Sequence, residues 1–516
     1  MRPRLSAAGA ALGAILLLAA ALRLLYITAP LLDAHRWRQV DTAAIARNMY
    51  RHDLNPFYPE VDWGGRRGYV ECEFPLVPFI AAVAYKAWGI HEWLGRLISV
   101  VFSVGAVFAL YRLGLVLLGP AGARAAAFLL AISPGAVFFG RTFMPDAAML
   151  CFSITAVLGV VEYSRSGRIG WLVLGSVSAG LAWLVKLPAI VMLPVLGAAA
   201  WEARRWRALR DPALLLALAA PLVVSAAWYY HAWRIFRATG LTFGLLVHPA
   251  KTYPREVWHG PWDTLFSKWT TWQMLESGQL ASEIFERLYF LHLLPWGFAL
   301  AVVGMVIWRR RAGVLTTWTW VGTMLAFILV AGGGHLAHDY YQLPLVPAAA
   351  LFFGAAAAPI FDGEWLARRV GSGWRGPVLA GAAVTLVGLV SFYYSGVIQS
   401  HFRPQSLDVR LRDAGAAIDR VTPDESLAIV VDDYGITSPL LLYYANLQGW
   451  SFDLRHIEPT LIAWLGQRGA RFFATTNWPR LRERRPEAAS VLERFERVPL
   501  QGAPAATALF DLTKPR

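Results

Sequence analysis

Apolar runs of roughly twenty residues recur along this chain, most of them long enough to cross a bilayer as a helix and some, such as 188–202, short enough to tilt or break. They fall at 7–28, 95–118, 122–140, 145–163, 169–186, 188–202, 212–233, 287–308, 313–332, 342–360 and 377–398, about eleven in all. Inside lipid every backbone N–H and C=O must be satisfied within the spanning structure, so runs of this length predict helices. The composition agrees: 57% of the 516 residues are hydrophobic and 16% charged, against roughly half and a quarter for a soluble chain. The formal net charge of +14 is carried almost entirely by arginine. These arginines lie in short breaks between apolar runs, so membrane topology accounts for them and nucleic acid is not expected as a partner. Cys72 and Cys151 are far apart, match no metal spacing, and are too few for a disulfide framework.

The breaks also predict sidedness, because loops on the cytoplasmic side carry the excess of Lys and Arg. Arg2 and Arg4 precede the first run, and Arg23 interrupts it. It reads as a retained span with a cytoplasmic N-terminus, not a cleaved signal. Alternate breaks then hold Arg112 and Arg124, Arg165 and Arg168, RRWRALR (204–210), WRRRAG (308–313) and EWLARRVGSGWRG (364–376). The remaining breaks are outer loops at 29–94 and 234–286, GRTFMPDA, VKLP and GGGHLAHDYYQ. The run at 75–90 is apolar but short and carries two prolines, so it predicts an interfacial helix.

After residue 398 the pattern changes to that of a soluble domain, 399–516, placed by the odd number of spans on the non-cytoplasmic side. SLAIVVDD (426–433), RFFATT (471–476) and TALFDL (507–512) read as buried strands; DVRLRDAGAAIDRV (408–421) and PEAASVLERFE (486–496) read as helices. The alternation predicts a small α/β domain.

Polar residues able to do chemistry gather in the outer breaks. In DAHRWRQVDTAAIARN (33–48), Asp33 stands where Asp commonly caps a helix. Asp41 follows Arg38 by three residues and Trp37 by four, so the three share a helical face. Asp41 is either half of an exposed ion pair or a general base beside the membrane, with Asp33 the second candidate. Asp146 stands where it would complement a helix dipole, and an acid at a membrane boundary needs a partner, with Arg141 five residues away. Lys186 either snorkels or meets an anionic substrate. Glu71 and Glu73 alternate around Cys72 and point the same way if extended, to bind sugar or acceptor or to pair with Arg66 and Arg67. His335 and His338, three apart, could share a divalent metal if Glu71 or Asp33 supplied a third ligand; no cofactor is certain. Tyr340 and Tyr341 belong to an aromatic belt or stack on a sugar. His259 and Trp262 mark an aromatic-rich second outer loop.

Several of these segments, in order, resemble the GT-C membrane glycosyltransferases, in particular bacterial glycosyltransferase family 39, kin of the protein O-mannosyltransferases and of the lipid A aminoarabinose transferase. ECEFPLVP (71–78) is similar to that family's E-K-P-P-L segment, SPGAVFFGRTFMPDAAML (133–150) to its SP…R…D segment, LVKLPAI (184–190) to L-x-K-G-P, and HDYYQLPLVP (338–347) to R-Y-x-L-P-x-x-P. The resemblance spans about 7–398. It implies transfer of a sugar from a polyprenyl phosphate to a hydroxyl acceptor with inversion, at the outer face of a bacterial inner membrane. It also implies a polytopic α-helical fold of 1–398, with the 399–516 domain periplasmic. The acceptor is protein, lipid A or an envelope glycan.

The implied roles are Asp41 or Asp33 as base and Asp146 as second acid. Lys186, Arg141, Arg38, Arg66, Arg67 and Tyr341 would face the phosphate; Glu71, Glu73, His338, Asp339 and Tyr340 would face sugar or acceptor. The chain departs from the pattern where the family's acidic pair falls on Arg38 and Gln39, its lysine on Phe74, its glycine on Leu187 and its arginine on Tyr340. A flippase for lipid-linked sugars, or a membrane-anchored envelope-glycan binding protein, are the alternatives; a transporter would place its charges at mid-bilayer, in broken helices of paired halves.

Overall fold

A computed structural model describes residues 7–245, 273–309, 312–362, 375–432, 434–435 and 437–516. The outer-loop segment 246–272, with His259 and Trp262, and most of the basic break 364–376 lie outside the described residues. The described residues form two compact units: one from Met1–Ile27, Arg96–Tyr229 and Pro261–Phe402, the other from Thr28–Gly95, Tyr230–Gly260 and Arg403–Arg516.

The first unit is helical. Among the described residues, six helices are long and apolar enough to cross a membrane: Glu92–Leu117, Asp146–Ser166, Leu187–Arg210, Pro212–Thr239, Asp339–Phe361 and Gly381–Ser400. The pair Gln279–His292 and Pro295–Ile307, bent by 106°, is apolar enough to make a seventh span if its two halves cross together. The break follows from Pro295, which cannot donate to the preceding turn. Of the eleven expected spans, the other four fall on shorter apolar helices, among them Gly9–Arg23, Gly119–Ile132, Ile169–Val185 and Val314–Val330. At 17 residues two of these reach only about 25 Å, near the lower limit for a bilayer core.

Arg23, the charge that breaks the first run, is fully buried. Its guanidinium donates to Ser103 Oγ at 2.6 Å and to the carbonyls of Ala131 at 2.9 Å and Leu130 at 3.2 Å. It thereby satisfies the carbonyl end of the helix Gly119–Ile132.

The second unit joins the first polar loop and the tail in one hydrophobic core. Ile45, Met49, Val61, Trp63 and Val70 pack in the same cluster as Ile429, Leu442, Phe452, Phe473 and Phe510. The tail holds a five-stranded sheet. With β1 (Glu60–Val61) and β2 (Gly68–Tyr69) forming an antiparallel hairpin in the loop, the sheet strands are β3 (Leu427–Val431), β4 (Gln448–Phe452), β5 (Phe472–Thr475), β6 (Phe495–Val498) and β7 (Ala508–Pro515), in order β4-β3-β5-β7-β6. β3 runs parallel to β4 and β5, pairing Ile429 with both Trp450 and Phe473; β7 closes antiparallel on β5 and β6. All five residues of β3 are buried, as its unbroken apolar run requires of a central parallel strand.

Three strands are the ones expected from sequence. β4 and β6 are additions, and β6 corrects the helix expected over 486–496, which stops at Leu492 before Phe495 turns into the sheet. The expected interfacial segment forms the helix Leu76–Trp88, whose 13 residues reach about 20 Å, short of a bilayer core.

Candidate active site

In the helical unit, Lys186 ends the helix Ile169–Val185, where Pro188 follows closely and the chain turns into a 3-10 segment. Its ammonium is buried and lies 3.1 Å from Oδ1 and 3.2 Å from Oδ2 of Asp146, at the start of the helix Asp146–Ser166. The partner of Asp146 in this pair is thus Lys186, not the expected Arg141. Arg141 is fully buried, donates to the Tyr26 carbonyl at 3.0 Å and covers the Phe402 ring at 4.6 Å. The Lys186 ammonium also sits 4.4 Å from the ring centroid of Tyr340 and 5.8 Å from that of Tyr341. The Lys186 ammonium thus has a carboxylate on one side and aromatic π-faces on another.

His338 stacks on Tyr340 at 5.0 Å, and Asp339 accepts from His401 at 2.8 Å. Burial drives the His335 imidazole down to about 3, so it is neutral; its Nδ1 lies 3.2 Å from the Gln342 amide. Among the described residues no group of three His, Cys, Asp or Glu side chains is arranged to hold a metal ion.

In the second unit, the helix Arg36–Arg51 carries Asp41 on a buried face. Its N-cap is His35 with a left-handed backbone, so Asp33 does not cap it; Asp33 accepts instead from Gln39 Nε2 at 2.5 Å. Asp41 Oδ1 accepts the indole N–H of Trp63 at 3.0 Å. Loss of water raises the Asp41 carboxyl from 3.8 to about 7; the Trp63 bond and the Arg38 charge oppose the shift, and the Asp62 charge adds to it. Arg38 pairs with Glu73 at 2.6 Å and covers the Phe243 ring at 4.6 Å. Glu71 is buried and accepts from the Thr242 hydroxyl. The expected pairing of Glu71 and Glu73 with Arg66 and Arg67 is replaced by these contacts: Arg67 lies 3.7 Å from Glu60, and Arg66 is exposed.

Helices and sheet of this kind have known counterparts. ArnT from Cupriavidus metallidurans, solved bound to undecaprenyl phosphate, superposes with a TM-score of 0.63 at 14% identity, with 98% of each chain covered. The archaeal oligosaccharyltransferase AglB from Archaeoglobus fulgidus, solved with an inhibitory peptide and a dolichol-phosphate, gives 0.54 at 12% identity over 90% of this chain and 69% of its own. The chain shares the fold of these two proteins.

Within this chain, residues 73–231 match the family model of dolichyl-phosphate-mannose-protein mannosyltransferase. Two Bacillus subtilis (strain 168) proteins, both provisionally named mannosyltransferases, are similar over part of it. YycA is 29% identical over 182 residues, 34% of this chain and 26% of its own length; YkcB is 30% identical over 155 residues, 30% and 21% respectively. The matched region thus covers about a quarter of those relatives.

The structure brings Asp146, Lys186, Tyr340 and Tyr341 together in one unit, and Asp41, Arg38 and Glu73 in the other. Sequence reasoning passed over Trp63 and Asp62, which bear directly on Asp41. The available signal was the glycine spacing in DWGGRRG (62–68), which marks a tight hairpin turn and therefore a fixed position for whatever precedes it.

Proposed function

We propose that this chain transfers a sugar from a polyprenyl-phosphate-linked donor to a hydroxyl acceptor, with inversion, at the outer face of a bacterial inner membrane. The acceptor oxygen attacks the anomeric carbon and its proton passes to Asp41. The bond from that carbon to the phosphate oxygen breaks, and the lipid phosphate leaves with the electron pair. A general base works best when its pKa lies near the working pH, and one held near 7 suits this step. Lys186 supplies the charge that meets the leaving phosphate, with Tyr341 beside it; Asp146 keeps that ammonium in place. Glu71 and Glu73 on the first polar loop, and His338, Asp339 and Tyr340 in the helical unit, are the residues we assign to sugar or acceptor. The N-terminus is cytoplasmic, and the unit holding the tail lies outside.

The observation that carries the reading is a nearly buried carboxyl, Asp41, poised at about 7 on the first polar loop of a GT-C fold. The structural neighbours bound to undecaprenyl phosphate and dolichol-phosphate support the donor class. The test is mass spectrometry of envelope glycans and glycoproteins from cells lacking the protein. A sugar-sized loss restored by the wild-type chain but not by Asp41→Asn is expected; restoration by Asp41→Asn would overturn the role of Asp41.

A further inference from the structure

Trp63 sits on a turn that is braced from two directions. The preceding residue, Asp62, is fully buried and engaged at both oxygens: Oδ2 accepts from Arg47 at 2.5 Å and Oδ1 from Asn48 Nδ2 at 2.9 Å. Both donors lie on the helix that carries Asp41, one to two turns further on. Arg47 is itself fixed, donating to the Tyr443 carbonyl at 2.8 Å and lying 4.4 Å over the Tyr443 ring. On the other flank, β4 holds the hairpin: Gln448 donates to Glu60 at 2.9 Å, and Gly65 N–H to the Gly449 carbonyl at 2.7 Å.

The hairpin could not close with larger residues. Gly65 has φ +77, and a Cβ there would meet the Trp450 ring at 2.9 Å; a Cβ on Gly68 would lie 2.8 Å from Gly64 Cα. The Trp63 ring is further confined by Phe243, at 6.3 Å between centroids. The whole assembly aims a single donor, the indole N–H, at one oxygen of Asp41.

We propose that Trp63 is a positioning residue for the base: its N–H holds Oδ1 of Asp41 as the non-reacting oxygen and favours the ionised carboxylate, and the Arg47–Asp62–Asn48 lattice together with β4 keeps it there. The proposal rests on the reading of Asp41 as base. A tryptophan suits this task because it donates without being able to accept, so it cannot compete for the acceptor's proton. Its bulk excludes water from the same oxygen.

The ionisable groups that bear on Asp41 are Arg38 on its own helix, Asp62 on the hairpin and the Cys72 thiol on the segment after β2; Glu71 and Glu73 bear on that thiol, and the Trp37 indole also bears on Asp41. Glu73 is paired to Arg38 and Asp62 to Arg47. Removing the Trp63 donor therefore leaves a carboxylate with burial still against it and one supporting bond fewer.

The experiment titrates Asp41 in the purified full chain, using the infrared band of its protonated carboxyl isolated by subtracting the Asp41→Asn spectrum. Trp63→Phe is expected to raise the midpoint by about one pH unit, the size of one lost hydrogen bond to a charged group. A purely structural role for Trp63 would lower thermal stability and leave the midpoint in place, which would overturn the proposal. Where Trp63→Phe does not fold, benzothienylalanine introduced at position 63 keeps the ring and removes only the N–H; the same shift is expected, and an unchanged midpoint is again fatal. Glycan restoration by Asp41→Asn is scored separately, so failure of the base and failure of its positioning residue are distinguishable.

Discussion

Lys186 and Asp146 stand 40 positions apart in sequence and 3.1 Å apart in space, in an ion pair that is almost wholly buried. Such a pair stabilises little relative to an apolar replacement, but halving it is costly, because the remaining charge is stranded. Lys186→Met should therefore destabilise the protein by about 3–5 kcal/mol, read as a lower thermal midpoint in detergent. Lys186→Met with Asp146→Leu should recover most of that loss. If Lys186 also meets the donor phosphate, the folded double variant should still bind undecaprenyl phosphate roughly tenfold to a hundredfold more weakly by native mass spectrometry. Unchanged binding would leave the pair with a structural role only.

Asp41 links function to stability through one proton. Its carboxyl titrates near 3.8 when unfolded and about 7 when folded, so the folded state binds the proton more tightly. Stability from this group is complete below the unfolded value and is lost as pH rises through about 7, an effect on the order of 4 kcal/mol. Asp41→Asn, a neutral isostere, should thus melt close to wild type near pH 4 and increasingly above it toward pH 8. Transfer should rise over the upper part of the same window as the wild-type carboxyl ionises. A thermal-midpoint difference that stays flat with pH would mean that Asp41 is not buried as a neutral acid.

Much of this was legible beforehand, and the reason is the solvent. A bilayer demands long apolar runs, so each expected span has a helix over it, even where Pro295 bends one by 106°. β3 was legible because a central parallel strand is apolar throughout, whereas β4, read as QGWSF, presents a glycine and only two large apolar side chains. The site was legible where spacing fixes geometry: Arg38 and Asp41 share a helical face by arithmetic alone. It was hidden where a contact crosses the chain. Trp63 meets Asp41 from 22 residues away, over a hairpin whose docking on β4 depends on a tail some 380 residues further on. For the same reason Asp146 found Lys186 and not the nearby Arg141.

Asp62 bears on Asp41 with the opposite sign to Trp63. Its negative charge helps keep the Asp41 carboxyl high, so Asp62→Asn should lower the Asp41 midpoint, where Trp63→Phe raises it. The same substitution leaves Arg47 without its charge partner in a buried place, at a cost of about 3 kcal/mol or more. Infrared titration and thermal unfolding of one variant check both. A midpoint that rises in both variants would show that loosening the turn, rather than the charge or the N–H, controls Asp41.

Gly65→Ala tests the brace from the β4 side. The positive φ and the 2.9 Å approach to Trp450 predict a loss of about 1–3 kcal/mol in stability. Because the hairpin carries Trp63, transfer should fall by more than the folded fraction explains. Equal losses of fold and activity would confine the brace to stability.

Sidedness is testable on surface positions alone. Arg66 on the hairpin and Arg482 in the tail are exposed and belong to one compact unit, so both must face the same compartment. Single cysteines at these positions, with Cys72 and Cys151 replaced by Ala, should react with a membrane-impermeant maleimide on spheroplasts. Arg165→Cys, in a basic break between two spans, should react only after permeabilisation, since the Lys and Arg excess marks the cytoplasmic face. Labelling of the Arg66 and Arg482 positions only after permeabilisation would invert the topology. It would also put Asp41 on the wrong side for an outer-face acceptor, ending the proposed reaction at that face.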